Sequence, residues 1–215
     1  MLDSKLKKFV KGHSAFQKVK FKKNEERFKR LVEEGQNPKA LFIGCSDSRV
    51  MPDMITGAKP GDLFIIRNIG NFVAPYKPDE DYHSTASAIE YAVSILEVSD
   101  IIVCGHSHCG AIEALYANLP QTDENLHTIK WLDLGRDAKK IASLAYKGKD
   151  RAEMLRYTEK ISVVYQLENL LTYPGIQRRI EEGNLFLHAW HYDLESGVIE
   201  HYDDEIFEFI PLSQK

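Results

Sequence analysis

The chain has 215 residues, of which 43% are hydrophobic and 28% charged, and both values are ordinary for a globular protein. This composition excludes bulk disorder, and 13 Gly and 8 Pro exclude a fibrous protein. The length predicts one domain, or one domain with a helical arm. Three cysteines are too few and odd in number for a disulfide framework, which favours a reducing compartment such as the cytoplasm.

Charge and hydropathy limit the partners of the chain. The longest apolar run, 101–115, is broken by two histidines and Glu113, so we expect no membrane span, and residues 1–30 lack the apolar segment of a signal peptide. The net charge of −4 is uneven, because residues 1–30 carry +8 and the other 185 residues carry −12. A basic segment can bind nucleic acid, but no aromatic-basic readout pattern accompanies it. We therefore expect an arm that packs on the acidic remainder of its own chain or of a partner.

The predicted elements alternate between helix and strand. A helix over 4–34, with Gly12 as a candidate break, ends at the Gly35–Pro38 stop. Continuous apolar runs predict buried parallel strands, and helix-spaced apolar residues predict helices between and after them. The strands are expected at 40–45, 63–66, 101–104 and 185–190, with a hairpin partner at 198–202, and the helices at 89–96 and 155–171.

This order predicts an α/β fold. We expect a central mostly parallel sheet, with four parallel strands plus an antiparallel edge strand, flanked by helices and preceded by an N-terminal helical arm. The proposed boundary places the arm in residues 1–35 and the α/β domain in residues 36–215.

Metal-ligating residue types follow two of the predicted strands. Cys45 ends the first strand, and His106 and Cys109 follow the third. In an open α/β sheet such strand ends meet at one edge, where ligands bind. Two thiolates and an imidazole suit tetrahedral zinc, and three protein ligands leave a fourth position for water or substrate. The spacing alone leaves open two unrelated buried thiols and a surface histidine.

Asp47 and Arg49 lie two residues apart, just after Cys45. They could form an exposed ion pair of little energetic value. Alternatively, the guanidinium could orient the carboxylate beside a metal, where Asp47 would accept a proton from activated water.

Three motifs in this order resemble the beta-class carbonic anhydrases. They are Cys45-Ser46-Asp47-Ser48-Arg49, Arg67-Asn68 and Gly105-His106-Ser107-His108-Cys109-Gly110. The motifs cover about residues 36–110, and a looser likeness extends over the whole chain. The resemblance implies a zinc lyase that hydrates carbon dioxide reversibly to bicarbonate and a proton, with Zn²⁺ as its cofactor.

The resemblance also implies roles for single residues. Cys45, His106 and Cys109 match the zinc ligands of the family. Asp47 and Arg49 match its catalytic dyad, and in some members this pair breaks so that the aspartate becomes the fourth zinc ligand of a closed state. The substrate pocket would be lined by Gln36, Phe64, Tyr91 and Gly110.

The assembly implied by the resemblance is a homodimer or a dimer of dimers. The N-terminal arm would wrap a partner subunit, and the active-site cleft would lie at the subunit interface. The substrates would be carbon dioxide and bicarbonate, with no nucleic-acid or membrane partner.

Two positions depart from the family pattern. Phe42 stands where members with an inhibitory bicarbonate site carry a tryptophan, so no indole N–H is available there and we expect an enzyme without that site. Ala111 stands where many members have a second glycine, and we expect a small packing change with zinc retained.

The remaining candidates have ordinary interpretations. Cys104 is expected to be a buried core thiol, and His188 and His191 to be core or interface histidines. His83 and His108 are candidate proton shuttles, although a surface histidine is the default for each. The run 200–208 is expected to form an acidic, solvated edge.

Two other functions remain open at this stage. A hydrolase of carbon disulfide or carbonyl sulfide could use the same fold and metal ligands. A non-catalytic zinc or bicarbonate sensor is the second, although the Asp47–Arg49 pair and the open fourth position argue against it.

Overall fold

The computed structural model describes residues 4–148 and 150–212, with side chains from residue 6 onwards. The chain divides into two compact units, Met1–Asn37 and Pro38–Lys215. None of the helices in the described part of the chain combines the length and apolar character that crossing a bilayer requires.

The first unit is helical, but its interruption does not fall at Gly12. This glycine lies inside the first helix, where a single glycine costs only about 1 kcal/mol relative to alanine, and the prediction of a break there was wrong. The helix instead widens into a π-helical segment and is interrupted by a turn at Asn24. The elements are α1 (Ser4–Ala15), the π-helix (Phe16–Phe21) and α2 (Glu25–Glu33).

The second unit is built on one sheet. Its strands are β1 (Ala40–Cys45), β2 (Leu63–Asn68), β3 (Asp100–His106), β4 (Phe186–Tyr192), β5 (Ile199–Asp203) and β6 (Glu208–Pro211). Over the described residues these six strands lie in the order β2-β1-β3-β4-β5-β6. The first four are parallel, and β5 and β6 are antiparallel.

The α/β fold and the four parallel strands are confirmed, but the edge differs from the prediction. One antiparallel edge strand was expected, and the structure has two. The second, β6, is only four residues long and follows the acidic run that was expected to be a solvated edge. Four residues are too few to show the alternation of apolar and polar residues that predicts a strand. Strand β6 is therefore recognised only by its pairing with β5.

Helices connect and cover the strands. They are α3 (Pro52–Thr56), α4 (Ser84–Ser94), α5 (Gly110–Leu115), α6 (Leu126–Leu132), α7 (Arg136–Ala145), α8 (Arg151–Leu170) and α9 (Pro174–Glu181). The start of α8 is set by Asp150, whose carboxylate accepts hydrogen bonds from the backbone N–H groups of Ala152 and Glu153. Pro174 occupies the first position of α9, where its missing N–H leaves no helical hydrogen bond unmade.

The core lies on both faces of the sheet because successive strand residues point in opposite directions. Leu41 and Ile43 of β1 belong to the larger cluster, together with Val163 of α8. Phe42 points the other way, into a cluster against which Ile55 of α3 packs. Both faces of β1 are therefore covered, as its continuous apolar sequence predicts.

Gly105 lets α8 approach the end of β3 closely. A Cβ atom at this position would lie 2.6 Å from Cγ2 of Val163 and 3.5 Å from the backbone oxygen of Glu159. The absence of a side chain at residue 105 therefore brings α8 directly against the strand end that carries His106.

Candidate metal centre and active site

The structure brings together the three residues expected to bind metal. Cys45 is the last residue of β1, His106 is the last residue of β3, and Cys109 caps the N-terminus of α5. Their sulfur and imidazole nitrogen atoms all lie within 4.8 Å of one another, and all three residues are buried. Adjacent parallel strands thus place residues separated by 61 positions in the sequence at one point.

His106 carries the clearest sign of a missing partner. Its Nδ1 atom lies 2.9 Å from the backbone oxygen of Ser107, which defines Nδ1 as the protonated nitrogen. Its Nε2 atom is buried and has no hydrogen-bond partner among the described residues. A buried imidazole lone pair beside two thiols is a costly arrangement unless a cation accepts it, so these residues fit a bound metal.

The two thiols share this environment unequally. The pKa of Cys45 is lowered to about 4, chiefly by a hydrogen bond from Cys109 and further by His106 and the backbone N–H groups of Asp47 and Gly70. The same hydrogen bond, with burial, raises the pKa of Cys109. Cys45 is therefore readily a thiolate, which is the form that binds a metal.

Asp47 and Arg49 form a bidentate ion pair. Nε of Arg49 lies 2.9 Å from Oδ1 of Asp47, and Nη2 lies 2.7 Å from Oδ2. The guanidinium holds the pKa of the Asp47 carboxyl well below its usual range. The Asp47 side chain is 17% exposed and the Arg49 side chain is 53% exposed, so the carboxylate is the better shielded partner of the pair.

The loop that joins Cys45 to this pair is held by Arg67. Its Nε donates to the backbone oxygen of Cys45 at 3.0 Å, and its Nη2 donates to the backbone oxygen of Asp47 at 2.6 Å. The arginine of the Arg67-Asn68 motif therefore fixes the turn that presents both the metal donor and the carboxylate.

Two of the expected pocket residues, Phe64 and Tyr91, lie away from the donors within this chain. The rings of Phe64 and Tyr91 stack with centroids 5.8 Å apart. Phe64 is paired with Leu41, four positions before Cys45 along β1, which is roughly 13 Å of strand. Gly110 follows Cys109 directly and is exposed, whereas Gln36 belongs to the first unit.

Two cavities in the second unit confirm this separation. One, of about 340 Å³, is lined by Cys109 together with His108, Arg156 and Glu159. The other, of about 420 Å³, is lined by Tyr91 and by residues of α4 and α9, and it shares no lining residue with the first.

The other sequence candidates lie in ordinary environments. Cys104 is fully buried, and burial raises the pKa of its thiol to about 12, as expected for a core cysteine. His188 pairs with Asp100 at 2.8 Å, and His83 pairs with Asp79 at 2.6 Å on the surface. His108 is half exposed and lies 3.5 Å from Glu195.

Two residues that contact the donors were not singled out from the sequence. The backbone N–H of Gly70, a residue in a left-handed conformation (φ 76°), helps to lower the pKa of Cys45. Glu159 of α8 accepts a hydrogen bond from the backbone N–H of Cys109. The position of Gly70 two residues after the Arg67-Asn68 motif was a signal for it, whereas nothing in the sequence marked Glu159, a single Glu 50 residues beyond Cys109.

Comparison with known proteins places this site in a family. The carbonic anhydrase family model matches residues 40–199. The carbonic anhydrase of Pseudomonas aeruginosa is 39% identical over 209 residues, which is 97% of this chain and 93% of that protein.

Solved structures of beta-carbonic anhydrases have the same fold as this chain. The beta-carbonic anhydrase CcaA has a TM-score of 0.91 at 34% identity, covering 99% of this chain and 94% of that one. One of two tetrameric beta-carbonic anhydrases from Sordaria macrospora has a TM-score of 0.81 at 30% identity, covering 93% and 97%.

The fold and the site together define an α/β enzyme with a Cys–His–Cys metal-binding group at the carboxyl ends of its parallel strands. The chain belongs to the beta-class carbonic anhydrases, and its function is that of a carbonic anhydrase, a lyase.

Proposed function

We propose that Cys45, His106 and Cys109 hold a zinc ion and that this centre hydrates carbon dioxide reversibly to bicarbonate and a proton. The observation that carries the proposal is the buried cluster of Cys45, His106 and Cys109, whose sulfur and imidazole nitrogen atoms lie within 4.8 Å of one another. This donor set is one that zinc prefers, and it leaves one of four tetrahedral positions for water or substrate. When bound, zinc supplies a Lewis acid that makes water nucleophilic near neutral pH.

Asp47 orients the attacking water in this proposal. Its Oδ1 accepts hydrogen bonds from the backbone N–H and from Nε of Arg49, and its Oδ2 accepts one from Nη2. A carboxylate oxygen accepts about two hydrogen bonds, so Oδ2 retains one acceptor site. That site would take the O–H of the water and direct its lone pair towards the carbon of carbon dioxide.

Arg49 holds Asp47 available for this role. The bidentate pair keeps the carboxylate ionised and engaged, so Asp47 is not free to act as a metal ligand. In the closed state implied by the family resemblance, Asp47 would leave Arg49 and become the fourth ligand. The arrangement in this structure is the paired one, which supports an open fourth position.

The substrate pocket is proposed to be completed by a second subunit. Phe64 and Tyr91 form a stacked apolar pair about 13 Å along the sheet from Cys45, so a single chain does not enclose a pocket with them. Across a subunit interface, they would supply a dry wall for an apolar gas, while Gly110 and the Gln36 amide would contact the bicarbonate. This supports a homodimer, or a dimer of dimers, as the active assembly.

The basic arm, residues 1–35, is proposed to pack on the partner subunit. It carries large apolar side chains that are exposed, Phe9 at 71% and Val19 at 66%. Burial against a partner would remove this surface from water. We also place the enzyme in the cytoplasm, because three free, buried cysteines suit a reducing compartment.

The alternative substrates, carbon disulfide and carbonyl sulfide, are not favoured. Their hydrolysis would need the same donors, so the site geometry does not distinguish them. The matched relatives are named carbonic anhydrases, and the similarity covers nearly their whole length. This supports carbon dioxide as the substrate.

The test is stopped-flow carbon dioxide hydration by the wild type and Asp47→Ala, with zinc content measured in both. We expect about one zinc per wild-type chain, and retained zinc with hydration reduced about 10²- to 10⁴-fold in Asp47→Ala. Activity of zinc-free wild type would overturn the mechanism. Full zinc without hydration would favour the heteroallene hydrolase or the sensor.

A further inference from the structure

One peptide unit beside the metal donors is held at both of its ends. The backbone oxygen of His108 accepts a hydrogen bond from Nη2 of Arg49 at 3.0 Å. The backbone N–H of Cys109, in the same peptide unit, donates to Oε1 of Glu159 at 3.0 Å. His108, which supplies the carbonyl of this peptide unit, has an unusual backbone conformation, because its φ of 58° lies in the left-handed region.

Glu159 is an unusual residue to find in this place. It lies in the middle of α8, and its residue surface is 2% exposed. Burying a carboxylate is costly unless it is paired, and Nη2 of Arg156 lies 2.7 Å from the same Oε1 that binds Cys109. The carboxylate is thus kept in the interior, with its charge directed at a backbone amide of the metal centre.

The other side of the Glu159 carboxylate is enclosed by polar side chains of the sheet. Oε2 lies 3.6 Å from Nε2 of His191, which is itself buried. Nδ1 of His191 lies 3.7 Å from Oε2 of Glu200, and Lys160 binds that oxygen at 2.6 Å. His191 therefore lies beside Oε2, the carboxylate oxygen of Glu159 that does not bind the Cys109 amide.

We propose that Glu159 is a positioning residue that acts through Cys109. Its carboxylate and Arg49 grip the His108–Cys109 peptide unit from opposite ends and hold the left-handed turn that aims the Cys109 sulfur at the metal. This role rests on the proposed metal site. The His108–Cys109 peptide unit would then connect α8 to the Asp47–Arg49 pair. Gly105 contributes by letting α8 lie close enough for Glu159 to reach Cys109.

Three variants test this role. Glu159→Leu removes the acceptor, and Glu159→Gln keeps a carbonyl acceptor but loses the charge. Glu168→Gln is the matched control, because Glu168 lies on the same helix and is exposed. Three quantities are measured. Cobalt affinity is monitored through the thiolate-to-metal charge-transfer absorption, and zinc affinity is measured by chelator competition. The third is the hydrogen-exchange rate of the Cys109 amide in protein without metal.

We expect Glu159→Leu to bind metal about 10- to 100-fold more weakly, with an altered cobalt spectrum and faster exchange at Cys109. Glu159→Gln should fall between Glu159→Leu and the wild type, and Glu168→Gln should match the wild type. A purely structural role would lower the stability but leave the metal affinity and spectrum of the folded variants unchanged, and that result would overturn the proposal.

Two further outcomes are decisive. If Glu159→Leu does not fold, Glu159→Gln decides alone, and wild-type metal affinity in it would refute the positioning role. If the wild type itself binds no metal, the proposed function fails. Normal metal binding by the wild type and by both Glu159 variants would refute only the inference about Glu159.

Discussion

Arg49 grips both carboxylate oxygens of Asp47, with its Nε 2.9 Å from Oδ1 and its Nη2 2.7 Å from Oδ2. A planar guanidinium can make this two-point contact, and a lysine ammonium cannot. The geometry of the pair therefore depends on arginine itself and not only on positive charge.

We expect Arg49→Lys to keep its zinc but to lose about 10- to 100-fold in kcat/KM, because Asp47 would no longer be held in one orientation. Stopped-flow hydration and metal analysis of the same sample check this. Arg178→Lys is the control, since Arg178 forms an exposed pair with Glu182 at 3.3 Å. Wild-type kcat/KM in Arg49→Lys would show that charge alone is sufficient.

Replacement of Cys45 and replacement of Cys104 should have opposite effects on metal content. Cys45→Ser is expected to lose most of its zinc, because a hydroxyl is a much poorer ligand than a thiolate with a pKa of about 4. Cys104→Ala should keep stoichiometric zinc, since its thiol lies in the core and has a pKa of about 12. Metal analysis of the purified variants decides, and full zinc in Cys45→Ser would contradict the ligand assignment.

Gly70 is expected to tolerate no side chain. A Cβ atom there would lie 2.9 Å from Cβ of Ala111 and 2.9 Å from Cζ of Phe72, and its φ is 76°. Gly70→Ala should lower the free energy of unfolding by about 2–4 kcal/mol, combining backbone strain with overpacking.

Urea unfolding of Gly70→Ala and Gly57→Ala separates the cost of backbone strain from the cost of overpacking. Gly57 also has a positive φ, 66°, but its Cβ would meet nothing within 4 Å. Gly57→Ala should therefore lose only the backbone part, about 1–2 kcal/mol. Equal losses in the two variants would show that the contact with Ala111 is unimportant.

Stability should fall in alkaline solution as Tyr173 ionises. Burial raises the pKa of Tyr173 to about 12 from its ordinary value of 10.0, and its hydroxyl donates to the backbone oxygen of Ala74. Because the folded pKa is raised, the stabilisation is complete below pH 10 and is lost as pH rises towards 12, by up to about 3 kcal/mol.

The measurement is the free energy of unfolding from pH 9 to 12 for the wild type and Tyr173→Phe. The variant lacks the titrating group, so its decline over this range should be shallower. Parallel declines of the two proteins would exclude Tyr173 as the cause.

The site around Phe42 should not bind bicarbonate. Phe42 is fully buried, its ring packs edge-on against Trp190 with centroids 6.5 Å apart, and it has no N–H to offer an anion. Arg67, which pairs with Gly44 two positions along β1 from Phe42, already donates to the backbone oxygens of Cys45 and Asp47. Crystals soaked in bicarbonate should show no anion beside Phe42 and Arg67, and density for one would refute this prediction.

Local sequence was sufficient for the features that depend on short-range pattern. The continuous apolar runs identified three of the four parallel strands, and each metal donor followed a strand end, where the parallel topology necessarily brings such residues together. The Asp47–Arg49 pair could be expected for a similar reason, because two residues in one turn need no distant element to meet.

Other features depend on contacts that no local pattern encodes. β6 is defined by its pairing with β5, and Phe64 and Tyr91 proved to lie far along the sheet from Cys45 because strand register, not residue type, sets that distance. Glu159 reaches Cys109 only because α8 packs against Gly105. The sequence by itself determined which chemistry the strand ends carry. The packing of α8 on the sheet, a long-range contact, decided how one of the metal donors is held.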